Sequence, residues 1–321
     1  MKKLLKIIPI LFLTTLFLQS CDNDDDTVIP PVTNNIVDIA QSSEDFTSLV
    51  AALQKANLVT TLQTQGPFTV LAPTNAAFST FLSNNGFDSL DEVPVDVLTN
   101  ILLNHVVGGR LASTDLTTGY ASTFATSSAS DASMSIFIDT SNGGVKFNGI
   151  SSVTSADISA DNGIVHVVDA VIGLPSVVTF AVADPTFSTL VAALTRDDLT
   201  TNFVGVLSIA TGTSPAPFTV FAPTNDAFGS LLSELGIAGL ADIDEPTLDA
   251  VLKNHVVAGA NVLDTDLTDD MTVTTLGGDI TANVTGGATL TDSSGRVSDI
   301  IATNIQANNG IIHAINKVIL P

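Results

Sequence analysis

The feature that most constrains this chain is that it contains the same pattern twice. The eleven residues FTVLAPTNAAF at 68–78 recur as FTVFAPTNDAF at 218–228, with nine positions identical. Three shorter segments recur in the same order: FTSLVAAL at 46–53, LNHVVGG at 103–109 and NGIVH at 162–166 return at 187–194, 253–259 and 309–313. The spacing between copies is much longer than the period of solenoid repeats, which is roughly 20–50 residues. The sequence therefore predicts two tandem domains, at 34–175 and 176–321.

Helical signals fill the first half of each copy. Phe46, Leu49 and Leu53 fall on one helical face. The apolar segment 68–72 indicates a short buried strand, and the helix after it has side chains suited to capping in both copies. These candidate caps are Thr74, Asn75, Thr224 and Asn225. The offset between copies changes in stretches such as 195–217, which we expect to be loops that absorb insertions.

Strand signals fill the second half of each copy. Residues 135–138 and 145–147 flank Asn142-Gly143-Gly144, which predicts a hairpin. The β-branched run 164–172 predicts a strand buried on both faces. Because helices precede strands in each copy, the predicted fold class is α+β.

The segment 1–20 has the features of a secretory signal. A basic start, MKKLLK, leads into an apolar stretch at 7–18. That stretch is short against the roughly 20 residues of a membrane-spanning helix. Leu18-Gln19-Ser20-Cys21 resembles the lipobox of bacterial lipoproteins, in which the cysteine is lipidated and becomes the first mature residue. The alternative is an ordinary signal peptide followed by an incidental cysteine, but Cys21 is the only Cys in the chain.

The segment 21–33 is acidic and then rich in Thr, Pro and Asn. We interpret it as a solvated tether; calcium binding is the alternative, although an unfolded loop makes a poor cation cage. An acidic run at this position also resembles the surface-export signals of some Gram-negative lipoproteins. The chain has 33 acidic and 10 basic residues, a formal charge of −23. Such a surface repels phosphate backbones, which argues against nucleic-acid partners.

The order of the repeated segments resembles a known family. FTVxAPTNxAF, then NHVVxG, then NGIxH ending in Leu-Pro appear in both copies, and together they resemble a tandem pair of fasciclin (FAS1) domains. The resemblance implies a wedge of β-strands flanked by helices in each domain, with a role in cell adhesion or matrix contact. The central motif often has Tyr before its His, and animal members use that region in integrin adhesion. Here Asn104 and Asn254 precede the His, so we do not carry integrin binding over.

The four histidines of the chain occupy matching positions in the two copies: His105, His166, His255 and His313. An enzymatic or metal-binding interpretation would pair the two in each copy. A zinc site needs three or four ligands, however, and the nearby Asp169 becomes Asn316 in the second copy. The interpretation we favour is structural: each imidazole satisfies irregular backbone with one donor and one acceptor. We likewise expect Thr74, Asn75, Asn104 and their second-copy counterparts to be architectural rather than parts of a ligand-binding loop, and we expect no cofactor.

Two functions from different classes follow from the sequence. The first is a non-catalytic adhesion or interaction module of the bacterial cell envelope. In this interpretation the protein is an outer-membrane lipoprotein that contacts a protein or polysaccharide at the cell surface. The alternative is an accessory protein that captures a carbohydrate or small ligand for nutrient uptake. Hydrolysis is disfavoured because no complete nucleophile and base set recurs in both copies.

Overall fold

A computed structural model describes residues 34–321 of the chain. The signal peptide, Cys21 and the acidic tether that the sequence predicts lie outside these residues. In the first copy five helices are interspersed with, and mostly precede, seven strands. The helices are α1 (Ile36–Ser42), α2 (Thr47–Lys55), α3 (Val59–Leu62), α4 (Asn75–Asn84) and α5 (Val95–Leu103). The strands are β1 (Phe68–Pro73), β2 (Val106–Gly108), β3 (Gly119–Thr126), β4 (Ser133–Asp139), β5 (Lys146–Phe147), β6 (Ser151–Ala160) and β7 (Gly163–Val168).

The seven strands of the first domain close on themselves. Neighbours in the chain pair antiparallel from β1 through to β7, and β7 then returns to pair parallel with β1. Two apolar clusters result: one lies between the helices and the sheet and contains Phe46, Phe78 and Leu98, and the other contains Ile136 and Phe147. The helices thus cover one side of a strand framework, as the α+β prediction requires.

The second domain repeats this order of helices and strands within 176–321, but its strands form an open sheet. Its helices are α6 (Val177–Ala183), α7 (Ser188–Leu194), α8 (Phe203–Leu207), α9 (Asn225–Leu235) and α10 (Glu245–Lys253). Its strands are β8 (Phe218–Pro223), β9 (Val256–Ala258), β10 (Met271–Thr274), β11 (Asp279–Asn283), β12 (Thr289–Thr291), β13 (Val297–Gln306) and β14 (Gly310–Ile315). They form one sheet in the order β10-β11-β12-β13-β14-β8-β9, with β14 and β8 parallel. The predicted α+β class is confirmed.

Several local predictions are confirmed and two are wrong in part. β4 and β5 pair as the predicted hairpin, with Ile138 opposite Phe147. The strand predicted at 164–172 ends at Val168, because the chain then leaves the sheet and the Ile172 amide binds a side chain elsewhere. The stretch 195–217, expected to be loop, contains the helix α8.

The two domains meet in a shared apolar contact. Phe137 on β4 is 1% exposed and belongs to the same buried cluster as Phe180 on α6. Tyr120 on β3 packs edge-on against Phe180, with ring centroids 5.5 Å apart. Its hydroxyl donates to Asp184 at 3.0 Å. Residues 34–321 therefore form a single compact unit.

A buried amide continues this contact on its polar side. Gln306 is 2% exposed, and its Nε2 donates to the Ser127 hydroxyl at 3.0 Å, while its backbone N–H donates to the Ser135 hydroxyl at 3.0 Å. Ser127 in turn donates to the Ala307 carbonyl at 2.6 Å. The proposed boundary between Pro175 and Ser176 stays a prediction, and hydrogen bonds as well as apolar contacts cross it.

Among residues 34–321, no single helix is long and apolar enough to cross a membrane. One bent pair, Val177–Ala183 with Pro185–Leu194, meets the criteria of length and composition together, with 94° between the two parts.

Candidate functional site

The Thr of each repeated APTN segment begins a helix. The Thr74 hydroxyl accepts from the backbone N–H of Ala77 at 3.3 Å, and Thr224 accepts from Ala227 at the same distance. An N-cap satisfies amides that have no partner within the helix. Of the two candidate caps in each copy, Thr takes this position.

The Asn that follows ties two helices together. The side-chain oxygen of Asn75 accepts from the N–H of Ser48 at 2.8 Å, and its amide donates to the Glu44 carbonyl at 2.8 Å. Asn225 makes the same pair of bonds to Thr189 and Pro185. Each Asn therefore joins the start of one helix to the turn before another, and its polar atoms are used within the fold.

The Asn of each NHVV segment is buried at the end of a helix. Asn104 is fully buried; its amide donates to the Gly173 carbonyl at 3.0 Å, and its oxygen accepts from Thr123 at 3.2 Å. Asn254 is 3% exposed and accepts from Thr275 at 3.4 Å. The residue that takes the family's Tyr position is thus inaccessible to a partner in both copies.

His105 and His255 use both ring nitrogens on the backbone. Nδ1 of His105 lies 2.8 Å from the carbonyl oxygen of Ile101, and its Nε2 accepts from the N–H of Ile172 at 2.9 Å. His255 repeats this with Val251 at 2.7 Å and Ile319 at 3.0 Å. A ring that accepts at Nε2 and meets a carbonyl at Nδ1 is neutral, with its proton on Nδ1. Each imidazole joins the last turn of a helix to the segment that follows the domain's final strand.

Burial keeps these two rings uncharged. Desolvation lowers the pKa of His105 and of His255 to about 4, and the hydrogen bonds to the Ile101 and Val251 carbonyls oppose that shift only partly. Burial penalises a charged imidazolium because the surrounding protein solvates it less well than water. Neither ring keeps a free lone pair, so neither can act as a general base or bind a metal without breaking a backbone hydrogen bond.

The second pair of histidines is also bound to the backbone. Nε2 of His166 and of His313 lies 2.9 Å from the carbonyl oxygens of Leu111 and Val262 respectively. Nδ1 of His313 accepts from Asn304 at 3.4 Å, and burial lowers the pKa of this ring below its ordinary value. The two histidines of each copy thus bind different backbone segments. Among residues 34–321 no group of three or more His, Cys, Asp and Glu side chains is arranged to hold a metal ion.

Sequence reasoning missed one repeated polar position. Lys55 donates to the carbonyls of Leu90 and Val93 at 2.7 and 2.8 Å. Arg196, which takes the matching position in the second copy, donates to the carbonyls of Leu240 and Ile243 at 2.9 and 2.7 Å. The signal was available, because a cation at the same place in both copies is notable in a chain with only 10 basic residues.

The repeated motifs thus define a class of protein: a tandem α+β pair whose sequence boxes hold the fold together. The sequence profile of the fasciclin domain matches residues 44–175 and 185–321. The chain therefore belongs to the fasciclin domain family, and the family resemblance predicted from the sequence is confirmed.

Individual relatives match one or both domains. The Synechocystis sp. protein sll1483 is 39% identical over 137 residues, which cover 43% of this chain and 72% of that protein. The Synechocystis sp. protein sll1735 is 41% identical over 138 residues, which cover 43% of this chain and 96% of that protein. Human periostin is 26% identical over 264 residues, 81% of this chain and 29% of periostin. A solved FAS1 domain pair from the insect cell adhesion molecule Fasciclin I has a TM-score of 0.49 and 19% identity, with coverage of 84% of this chain and 92% of that one.

Replacing either helix-end histidine tests the structural interpretation. His105→Ala leaves the Ile101 carbonyl and the Ile172 amide without their partner, at about 1–3 kcal/mol for each group. We expect the melting temperature of the first domain to fall by roughly 10 °C, and His255→Ala to do the same in the second. Thermal unfolding followed by circular dichroism measures both.

His105→Gln serves as the matched variant, because its amide can both donate to the Ile101 carbonyl and accept from the Ile172 N–H. It should lose less stability than His105→Ala. If His105→Ala melts like the wild type but loses binding of zinc, a glycan or a cell surface, the histidines are ligands and the structural interpretation is wrong.

Proposed function

We propose that this protein is a non-catalytic adhesion or interaction module, anchored through a lipid on Cys21 to the outer membrane of a bacterial cell envelope. The fasciclin family generally supplies adhesion and interaction modules rather than enzymes. The observation that carries the proposal for this chain is the state of its repeated polar residues. The Asn and His side chains of the boxes are bound to backbone and other structural groups within the fold, which leaves partner binding to surfaces outside them.

The charge distribution restricts the kind of partner. Of the seven basic side chains in residues 34–321, five contact carbonyls or carboxylates of the protein itself. These five are Lys55, Arg110, Arg196, Lys253 and Arg296. The exposed surface is therefore predominantly anionic, since 29 carboxylates lie in the same residues. A basic or uncharged surface protein or polysaccharide fits this field, and a nucleic acid does not.

The anchor is tested by Cys21→Ser. One acyl chain gives only marginal membrane binding, whereas several chains hold a protein almost irreversibly. We expect the wild-type protein to sediment with the membranes of its host cell and Cys21→Ser to appear in the soluble fraction, with circular dichroism unchanged. Cells that carry the variant should also lose adhesion to a matrix-coated surface.

The released Cys21→Ser protein then separates anchoring from adhesion. Added in excess to wild-type cells, it should compete with their adhesion. A variant that still sediments with membranes contradicts the lipid anchor. A released protein that fails to compete contradicts the adhesive role, whatever the result for the anchor.

A further inference from the structure

The second domain contains an apolar cavity that is much larger than the matching cavity of the first domain. The cavity has a volume of about 120 Å³ and lies between α6, α7 and α8 above the sheet. Its lining includes Val177 and Ala181 from α6, Leu190 from α7, Leu207 from α8, and Val220 and Ile312 from the strands. In the first domain a cavity that shares several of the matching residues, among them Ile36, Leu49 and Leu62, has a volume of only about 20 Å³. The two copies of the fold therefore differ in the volume of this cavity, and the first copy shows that the fold itself does not need the larger one.

Sequence differences between the copies account for the larger cavity. Val177 stands where the first copy has Ile36, so the wall is one methylene smaller. The numbering offset between the copies then increases around α8, and the added residues lengthen the connections on either side of that helix. The helix that covers the cavity, α8, is therefore joined to its neighbouring elements by longer connections than α3 is in the first domain.

The cavity reaches the surface along an apolar edge. Val182 is 66% exposed and Val204 is 38% exposed, and both line it. The residue that matches Val182 in the first copy is the polar Gln41. A ligand can therefore place one end inside and leave the other end in water.

The lining offers nothing for a polar ligand to bind. Thr195 is its one polar residue, and the Thr195 hydroxyl donates to the Val191 carbonyl of its own helix at 2.8 Å. A sugar placed here would lose hydrogen bonds to water without replacement. A dry apolar cavity of about 150 Å³, in contrast, takes up benzene or xenon.

We propose that this cavity binds the end of an uncharged alkyl chain, of about six carbon atoms by comparison with the benzene-sized cavity. The chain enters between Val182 and Val204, and its polar end stays in solvent. This site is independent of the adhesive role and belongs to the second domain alone. The carbohydrate considered from the sequence is not its ligand.

The test uses 1-hexanol as the probe and methyl NMR of residues 34–321 as the readout. We expect saturable shifts of the methyl groups of Val177, Leu190 and Leu207. Their counterparts in the first domain, Ile36, Leu49 and Leu62, should not move. Glucose at the same concentrations should shift neither set. Shifts in both sets, or none in the second domain, would overturn the proposal.

Three variants and one control locate the binding. Ala181→Leu fills the cavity and should weaken hexanol binding at least about tenfold, the loss expected when two methylene groups of the ligand are left in water. Val177→Ile copies the first domain and should weaken it less. Val182→Gln makes the mouth polar, and Val284→Gln, which replaces a 37% exposed valine of the same domain outside the lining, is its control. If Ala181→Leu does not fold, Val177→Ile and Val182→Gln decide the matter. Undiminished binding in the folded variants contradicts the site.

Discussion

Acidification from pH 7 to pH 4 is expected to destabilise this protein by about 3 kcal/mol for each of His105 and His255. Burial lowers the pKa of each ring to about 4, whereas an unfolded histidine titrates near 6.5. Between these values the unfolded state binds protons and the folded state does not. The stability that the neutral rings provide is therefore complete above about pH 6.5 and is lost as the pH falls toward 4.

Urea unfolding at pH 7, 5.5 and 4 measures this loss. The Asp side chains with lowered pKa, such as Asp264 and Asp269, titrate below their ordinary value near 3.8 and act at still lower pH. Burial also lowers the pKa of His313, so this ring leaves a residual slope of the same sign. The His105→Gln, His255→Gln double variant should be less stable at pH 7 but much less sensitive between pH 6.5 and 4. An equal slope in the double variant would show that other groups cause the acid sensitivity.

Local structure could be predicted from the sequence wherever one short segment carries the whole signal. The hairpin between Ile138 and Phe147 and the order of helices and strands follow from residue type and spacing alone. A helix cap at 74–75 and at 224–225 follows in the same way, but only the structure shows that Thr74 and Thr224 supply it. Family membership followed because the boxes occur twice and in order. The structural role of the histidines stays a prediction, and the alanine variants described above test it. Both ring nitrogens of His105 are hydrogen-bonded to backbone, which supports that prediction.

The partners of these residues could not be predicted, because they are distant in the chain. His105 lies directly before the strand β2, but its Nε2 accepts from the N–H of Ile172, 67 residues further on. That bond also explains why the strand predicted at 164–172 stops early. Asn104 likewise reaches Gly173 across 69 residues. Spacing within a motif indicates which side chains are placed together, and it contains no information on which backbone segment folds onto them.

The contact between domains was the largest feature that the sequence did not indicate. Its polar members, Ser127, Ser130 and Ser135, lie in a serine-rich segment that has the composition of an ordinary loop. Gln306, which is hydrogen-bonded to these serines, stands where the first copy has Ser159. This residue of the contact is therefore not part of the repeat. Comparison of the two copies identifies the residues that they share. The interface between the domains depends instead on residues that occur in only one copy.

Separated at Pro175, the two halves are each expected to fold, because each has its own helices, strands and apolar clusters. Both should melt on the order of 10 °C below the full chain. The first half exposes Phe137 and the second exposes Phe180, and re-exposing one such side chain costs about 2 kcal/mol. Gln306 and the three serines also lose their buried partners.

Tyr120 supplies a specific signal for this contact. It is the only Tyr, and the chain has no Trp. Burial, and then the adjacent Asp184 carboxylate, raise the pKa of Tyr120 well above its ordinary value. In the isolated first half both influences of the second domain are absent, so the near-ultraviolet circular dichroism should change and the phenol should ionise at lower pH. Adding the second half should restore both properties, and Phe180→Ala in that half should prevent the recovery.

The outcomes separate two claims about the chain. Halves that melt at the temperature of the full chain would show that the contact through Phe137, Phe180 and Gln306 adds no stability. Halves that are both unfolded would show instead that the boundary at 175 divides a single cooperative core. A third outcome is expected, because Tyr120 and Phe137 pack in the same apolar cluster as Phe180. If the halves fold with reduced stability and recombine when mixed, the two domains are held in one fixed orientation. Any partner then meets both domains at once, and binding to the pair should exceed binding to either half.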